Sequence, residues 1–371
     1  MSHSPLLNQA ARILKLVQAG TPADQALRES LTQSRHFTAP VERREISRAV
    51  FAYFRWWRWL EPKDSAQKQL ATALELQARF DKNPAAIKAE ALAALAVPDW
   101  LKDEMAIVPV EMLRQFQRPP TLWIRPKLES AESVAKRLGN CTPPDSKLSA
   151  HSPQLSAFHY TGIKDLYRTP EFQGGEFEIQ DLASQFVGLA CAPKPGETWW
   201  DACAGQGGKT LHLSDLMQNK GVVWASDRSV RRLAKLKERA ARAKAFNFRA
   251  AAWEGDAKLP TKAKFDGVLL DAPCSGVGTW QRNPHARWTT TPKDVQELAA
   301  VQTRLLNQVA GSIKAGGRLV YSVCTLTRAE TTAVADAFTA AHLEFAPVST
   351  ELIWPHEVDA NGMYIAIWKK R

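Results

Sequence analysis

Residues 198–210 read TWWDACAGQGGKT, an apolar run that gives way to a glycine-rich turn and then to a helix-forming stretch. That succession marks the start of a β–α unit. The pattern recurs. GVVWASD (221–227), GVLLDAP (267–273) and RLVYSVC (318–324) are further strand-like runs, with helical patterns at about 208–218, 229–245 and 293–314 between them. Such alternation predicts right-handed crossovers and a parallel, doubly wound α/β sheet. Ligands of this kind of sheet bind beyond the carboxyl ends of the strands. The glycine turn, Asp227, Cys274 and Cys324 all fall at such ends.

Three nucleotide-type sites compete for the turn. A phosphate-cradling loop needs G-x-x-x-x-G-K-[ST]. Gly208, Lys209 and Thr210 supply its end, and VLLDAP imitates the companion acidic strand, but Cys203 stands where the first glycine belongs. A dinucleotide turn needs G-x-G-x-x-G; Gly205 and Gly207 fit, and Thr210 occupies the third place. An S-adenosylmethionine site requires small residues at the turn and a carboxylate after the next strand for ribose hydroxyls. Asp227 lies twenty residues beyond Gly207, about the ribose-carboxylate spacing. Asp256, in WEGDA, follows a third strand and is placed to contact adenine. Asp227 suits a dinucleotide equally well.

Cys274 follows the fourth strand and Cys324 ends another, so both thiols can open on one cleft. A single cysteine in such a place is ordinarily a small core residue. Two at the ligand edge, one preceded by Asp271, suggest covalent chemistry. Carbon 5 of a pyrimidine is a poor nucleophile, but a thiolate added at carbon 6 makes it enamine-like and able to accept a methyl group. The carbon-5 proton must then leave and the thiolate be expelled. Lys209 would favour the thiolate, Asp271 could bond a ring nitrogen, and the base must be unstacked.

Composition narrows the partners. The 371 residues carry 49 Lys and Arg against 38 Asp and Glu, a net charge of +11 that attracts phosphate backbones or anionic lipid. No bilayer-length apolar run is present, and the opening MSHSPLLNQA lacks an export pattern, so nucleic acid and a cytoplasmic location are expected. The five cysteines show no C-x-x-C spacing, which argues against a disulfide framework and a metal site.

Residues 1–117 read as helical. ARILKLVQAG places Ile13, Leu14 and Val17 at helical spacing, and Thr21 with Pro22 looks like a helix start. QRPPT then suggests a linker, LWIRPK a short strand, and CTPPDSKLS and FQGGEF turn-rich patches within a mixed segment 118–177.

The stretches IQDLASQFVGLAC, DACAGQGGKT, ASDRSVRRL, EGDA, FDGVLLDAPCSGVGTWQRNPHARW, AGGRLVYSVCTLTRAE and GMYIAIWKK together resemble the RsmB and Nop/Sun family of S-adenosylmethionine-dependent RNA (cytosine-5) methyltransferases. The resemblance covers about 178–371 and implies a Rossmann-like class I methyltransferase domain. It implies Cys324 as nucleophile and Cys274 as the residue assisting release. Cofactor contacts carry over to Cys203, Ala204, Gly205, Gln206, Gly207, Gly208, Lys209, Asp227, Asp256 and Asp271. More weakly, TAPVERREISRAVFAYFRWWRWL, VPDWLKDEM and PPTLWIRPK resemble a NusB-like RNA-binding domain. The expected organisation is therefore an all-α NusB-like domain (1–117), a small α+β linking subdomain (118–177) and the methyltransferase domain (178–371).

Departures from the family pattern are Gly205-Gln206 in place of Ala-Pro, His285 for an acidic residue, and Val323 for Thr. For RNA contact, FRWWRWL offers Arg55, Arg58 and three tryptophans, most of them expected to pack a core. The stretch 228–249 carries nine Lys or Arg against one Glu, either a solvated face or a phosphate contact. Arg282 and Arg287, directly after Cys274, are the expected contacts to the substrate strand. The expected protein is a monomeric cytosine-5 methyltransferase acting on RNA, with ribosomal RNA the substrate by resemblance and no metal or membrane partner. A non-catalytic RNA-binding or assembly factor and a P-loop ATPase are the competing readings.

Overall fold

A computed structural model describes residues 5–34, 37, 39–145 and 154–371. The first four residues of the opening stretch, and positions 146–149 of the patch CTPPDSKLS, lie outside the described residues. The chain divides into two compact units, one of residues 1–120 with 279–291, the other of 121–278 with 292–371.

The first unit is helical, led by Pro5–Gln18, Ala23–Gln33, Pro40–Arg55 and Ala66–Lys82. The periodic residues Ile13, Leu14 and Val17 are buried, as their spacing requires. Thr21 is not the cap of the second helix. Pro22 takes the N-cap position with no side-chain hydrogen bond, so the proline's fixed backbone starts that helix instead. Of the tryptophan cluster, Trp56 is fully buried and donates to Gln77 Oε1 at 3.1 Å, whereas Trp57 stays 43% exposed.

The second unit holds two sheets. The smaller contains β1 (Trp123–Pro126), β2 (Cys141–Thr142), β3 (Phe158–Tyr160) and β4 (Phe177–Ile179) in the order β2-β3-β1-β4. The larger contains β5 (Thr198–Asp201), β6 (Val222–Asp227), β7 (Phe248–Ala252), β8 (Phe265–Asp271), β9 (Ile313–Val323), β10 (Phe345–Ile353) and β11 (Met363–Lys370). Its order is β10-β11-β9-β8-β5-β6-β7. From β7 through β9 the pairings are parallel, as expected. The closing strand β11 is the exception, lying antiparallel between β9 and β10. Its connection from β10 is too short for a crossover helix, so the chain turns back as a hairpin.

Alternation along β5 sends Trp199 and Trp200 to opposite faces of the sheet, where each enters a separate core. Leu269 and Leu270 of β8 divide in the same way. Each such buried side chain contributes about 2–3 kcal/mol relative to exposure, so the sheet is stabilised from both sides. Gly267, paired with Trp199, leaves room for the indole: a Cβ there would lie 2.3 Å from the ring. A sheet held this firmly fixes the positions of its strand ends.

Candidate active site

The glycine turn leaves β5 at Asp201 and enters the helix Gly208–Leu216. Gly205 and Gly207 adopt left-handed backbone, with φ of +54° and +84°. At Gly207 a Cβ would also approach Leu236 Cγ to 2.6 Å, so glycine is required by conformation and by space. At Gly205 a Cβ would meet nothing within 4 Å. The Gly205 N–H donates to Asp227 Oδ2 at 3.0 Å, and the Ser229 N–H donates to Asp227 Oδ1 at 2.8 Å. The carboxylate at the end of β6 is thus tied to the turn after β5.

These strand ends surround a cavity of about 520 Å³. Its wall includes Cys203, Ala204, Gly205, Gln206, Asp227, Asp271, Cys274 and Cys324, eight residues that the sequence singled out. Lys209 lies behind the wall and donates to Asp271 Oδ2 at 2.7 Å, while Ser322 Oγ donates to Asp271 Oδ1 at 2.8 Å. Gly207 and Gly208 form the helix start and do not line the cavity. Asp256 is exposed and also outside the wall; its neighbours Glu254 and Gly255 stand in it. Arg228 and Arg232, from the basic stretch 228–249, are further wall residues, as is Arg304, which no sequence pattern marks.

At one side of the cavity the Cys274 and Cys324 sulfurs stand 3.2 Å apart. The hydrogen bond to Cys324 and burial hold the Cys274 thiol well above its ordinary range, with charge on Cys324 and Glu330 adding to the effect. Burial, with Asp201, Asp271 and Asp227 nearby, raises the Cys203 thiol as well. Burial works against the charge of Lys209. The adjacent Asp271 carboxylate outweighs it, with Cys324 and Asp201 contributing, and lifts the ammonium above its ordinary value. Lys209 is therefore a permanent cation, engaged by Asp271. Asp201, buried at the end of β5, is pushed up to about 7 by desolvation despite the Thr210 hydroxyl at 2.6 Å.

The two arginines expected at the RNA belong to the first unit and differ from each other. Arg282 is exposed. Arg287 is fully buried, which corrects its assignment as an RNA contact. Its guanidinium donates to the carbonyls of Ala96 at 2.9 Å, Phe116 at 2.8 Å and Trp280 at 3.3 Å. In the basic helix Val230–Ala243, Arg239 and Arg242 pair with the buried Glu178, so part of that charge is structural. Among the described residues there is no group of three or more His, Cys, Asp or Glu placed to hold a metal ion. Nor is any described helix long and apolar enough to cross a membrane.

The seven-stranded order, with its one reversed strand beside β9, defines a Rossmann-like methyltransferase fold rather than a P-loop or dinucleotide-binding one. One solved structure matches the whole chain over its own full length with a TM-score of 0.81 at 22% identity, a likeness of fold. A methyltransferase homologue from Pyrococcus horikoshii, 25% identical, superposes with a TM-score of 0.60 over 71% of this chain and 90% of its own. The family described as 16S rRNA methyltransferase RsmB/F matches residues 188–369. The probable ribosomal RNA small subunit methyltransferase B of Synechocystis sp. is 33% identical over 300 residues, covering 74% of this chain and 66% of that protein. The chain belongs to the RsmB/Nop/Sun family. It spans between 49% and 66% of the length of the first curated relatives it matches.

Proposed function

We propose that the protein transfers a methyl group from S-adenosylmethionine to carbon 5 of a cytosine in RNA, with ribosomal RNA as substrate. The observation that carries this reading is the pair of cysteine sulfurs 3.2 Å apart in the wall of a nucleoside-sized cavity. The family and its ribosomal RNA methyltransferase relatives support methyl transfer to ribosomal RNA.

The donor fits the residues present. The open space over Gly205 leaves the backbone free to pass close to a ligand, and Asp227, already anchored by two N–H groups, keeps lone pairs for ribose hydroxyls. When bound, S-adenosylmethionine supplies an electrophilic methyl group on a cationic sulfur.

The two thiols divide the work. Cys274 keeps its proton and can donate it towards Cys324, while Lys209 places a cation near the Cys324 sulfur. Cys324 is thus the better nucleophile, adding to carbon 6 of the base. Asp271, held by Lys209 and Ser322, faces the same space and orients the ring by accepting a hydrogen bond from its exocyclic amine. Once carbon 5 has taken the methyl group, a water beside Cys274 takes its proton, the electron pair of that C–H bond re-forms the carbon 5–carbon 6 double bond, and Cys324 leaves as the thiolate. Cys274 assists this elimination. Arg282 remains our candidate for contact with the RNA strand.

Labelled donor and ribosomal RNA, with wild type, Cys324→Ala and Cys274→Ala, test the assignment. The expected result is label in 5-methylcytosine for wild type and none for Cys324→Ala. Cys274→Ala should accumulate a protein–RNA adduct stable to denaturing gels. Undiminished transfer by Cys324→Ala would remove the nucleophile assignment.

A further inference from the structure

Behind the cysteine pair lies a carboxylate that the mechanism above does not use. Glu330 has no exposed surface. Its Oε1 accepts from the Ser275 N–H at 2.8 Å and from Gln302 Nε2 at 2.9 Å. Its Oε2 accepts from Thr327 Oγ1 at 2.8 Å, Thr325 Oγ1 at 3.2 Å and Ser275 Oγ. Ser275 directly follows Cys274, and Thr325 directly follows Cys324. One carboxylate therefore grips the next residue after each thiol.

The grip extends further. Gln302 also donates to the carbonyl of Pro273 at 2.9 Å, so Cys274 is held on both flanks. Tyr321 OH donates to the Glu330 carbonyl at 2.6 Å and to Gln302 Oε1 at 3.0 Å, which ties β9 to the same cluster. Ser275 Oγ and Thr325 Oγ1 are themselves 2.9 Å apart. Burying a carboxylate is costly unless its lone pairs are satisfied. Here neutral donors from three segments of chain satisfy them, and those segments are thereby fixed against one another.

We propose that Glu330 is the positioning residue of the site, setting the Cys274–Cys324 separation by fastening both cysteine-bearing turns to one buried carboxylate. The catalytic consequence rests on the methyl-transfer reading above; the geometric claim does not. Glu330 is not part of the cavity wall and acts through Ser275 and Thr325. Its negative charge also helps to keep Cys274 protonated, which preserves the division of labour between the thiols.

The test measures sulfur proximity separately from catalysis. Diamide oxidises two neighbouring thiols to a disulfide, its N=N bond taking up the two electrons and two protons released. The initial rate of the 274–324 crosslink, followed by peptide mass spectrometry, reports how often the sulfurs meet. Glu330→Ala should slow that crosslink at least tenfold and lower kcat for methyl transfer by ten- to a hundredfold. Donor Kd and KM for RNA should stay within about threefold of wild type, and Glu330→Gln, which keeps one acceptor oxygen, should recover part of both losses.

Should Glu330→Ala fail to fold, judged by donor binding and thermal unfolding, the double variant Ser275→Ala with Thr325→Val removes two of the straps and must show the same split. A crosslink rate unchanged in the folded variants would overturn the proposal even if wild type methylates RNA. A Glu330-dependent crosslink in a protein that methylates no RNA would uphold the positioning and defeat the methyl-transfer reading.

Discussion

Arg287 in the helical unit and Glu330 in the sheet unit are buried charges of opposite sign, and each is held by neutral groups, although the Arg287 Nε has no partner. Arg287 gathers carbonyl oxygens from residues 96, 116 and 280; Glu330 gathers N–H and O–H donors from residues 275, 302, 325 and 327. Their surroundings differ in what they hold. Around Arg287 the partners are helix ends packed with Trp280 and Phe116, and burial lowers the guanidinium to about 9. Around Glu330 they are turns that carry thiols. The same device stabilises a fold in one place and sets a reactive distance in the other.

That contrast can be broken by substitution, beginning with the largest expected effect. Arg287→Met leaves buried carbonyl oxygens without a donor and should lower unfolding free energy by about 3–5 kcal/mol, read from urea denaturation. A loss below about 1 kcal/mol would mean that those carbonyls find other donors.

Asp201 is a third buried charge and sharpens the comparison, because Thr210 bonds only Oδ2 and its Oδ1 has no partner. With its carboxyl raised from 3.8 to about 7, the folded chain holds a proton that the unfolded chain has released. The stability this confers is complete below about pH 4 and is lost as pH rises through about 7. Comparing unfolding at about pH 5 and 8, Asp201→Asn should show a shallower decline than wild type, the difference amounting to about 2–3 kcal/mol. Parallel pH profiles for the two proteins would refute this.

Glu330→Gln should invert the pattern of Arg287→Met. Its expected stability loss is about 1–2 kcal/mol in the same denaturation series, yet methyl transfer should still fall several-fold, less than in Glu330→Ala. The smallest effects belong to the glycine turn. Gly207→Ala strains both backbone and the Leu236 contact and should cost about 1–2 kcal/mol in thermal or urea unfolding. Gly205→Ala, strained by its left-handed backbone but with space around its Cβ, should cost about 1 kcal/mol and weaken donor binding as well.

The parts of this molecule that sequence reveals are those governed by local pattern. Strand–helix alternation located β5, β6, β8 and β9 within a few residues, and the turn 201–210 placed the cavity. Three things depend on distant partners and were not legible. Nothing local distinguishes β11 from another parallel strand; its direction follows from the short return after β10. The segment 279–291 reads as a basic, substrate-facing continuation of the Cys274 loop, but its packing partners lie more than 160 residues earlier, and so Arg287 was misread. Glu330 closes the stretch TLTRAE, where its tie to Cys274 is not visible. The spacing Thr327-x-x-Glu330 is that of a capping box, in which the carboxylate accepts from the threonine's backbone N–H, but here it accepts from the Thr327 hydroxyl instead. The spacing does not reveal that Ser275 is reached as well.

The reversed strand β11 has a consequence for how the protein is made. Residues 363–370 occupy the interior of the sheet, paired on one side with the strand that leads to Cys324. Just before them the Gly362 N–H bonds the Gly278 carbonyl, and the Gly278 N–H bonds the carbonyl of Cys324. A chain emerging from the ribosome can fold β5 through β9 in order of synthesis, but Cys324's strand keeps an open edge until residue 370 is released. The thiol pair is therefore completed by residues synthesised after both cysteines, so a chain interrupted before residue 363 presents an exposed strand beside Cys324.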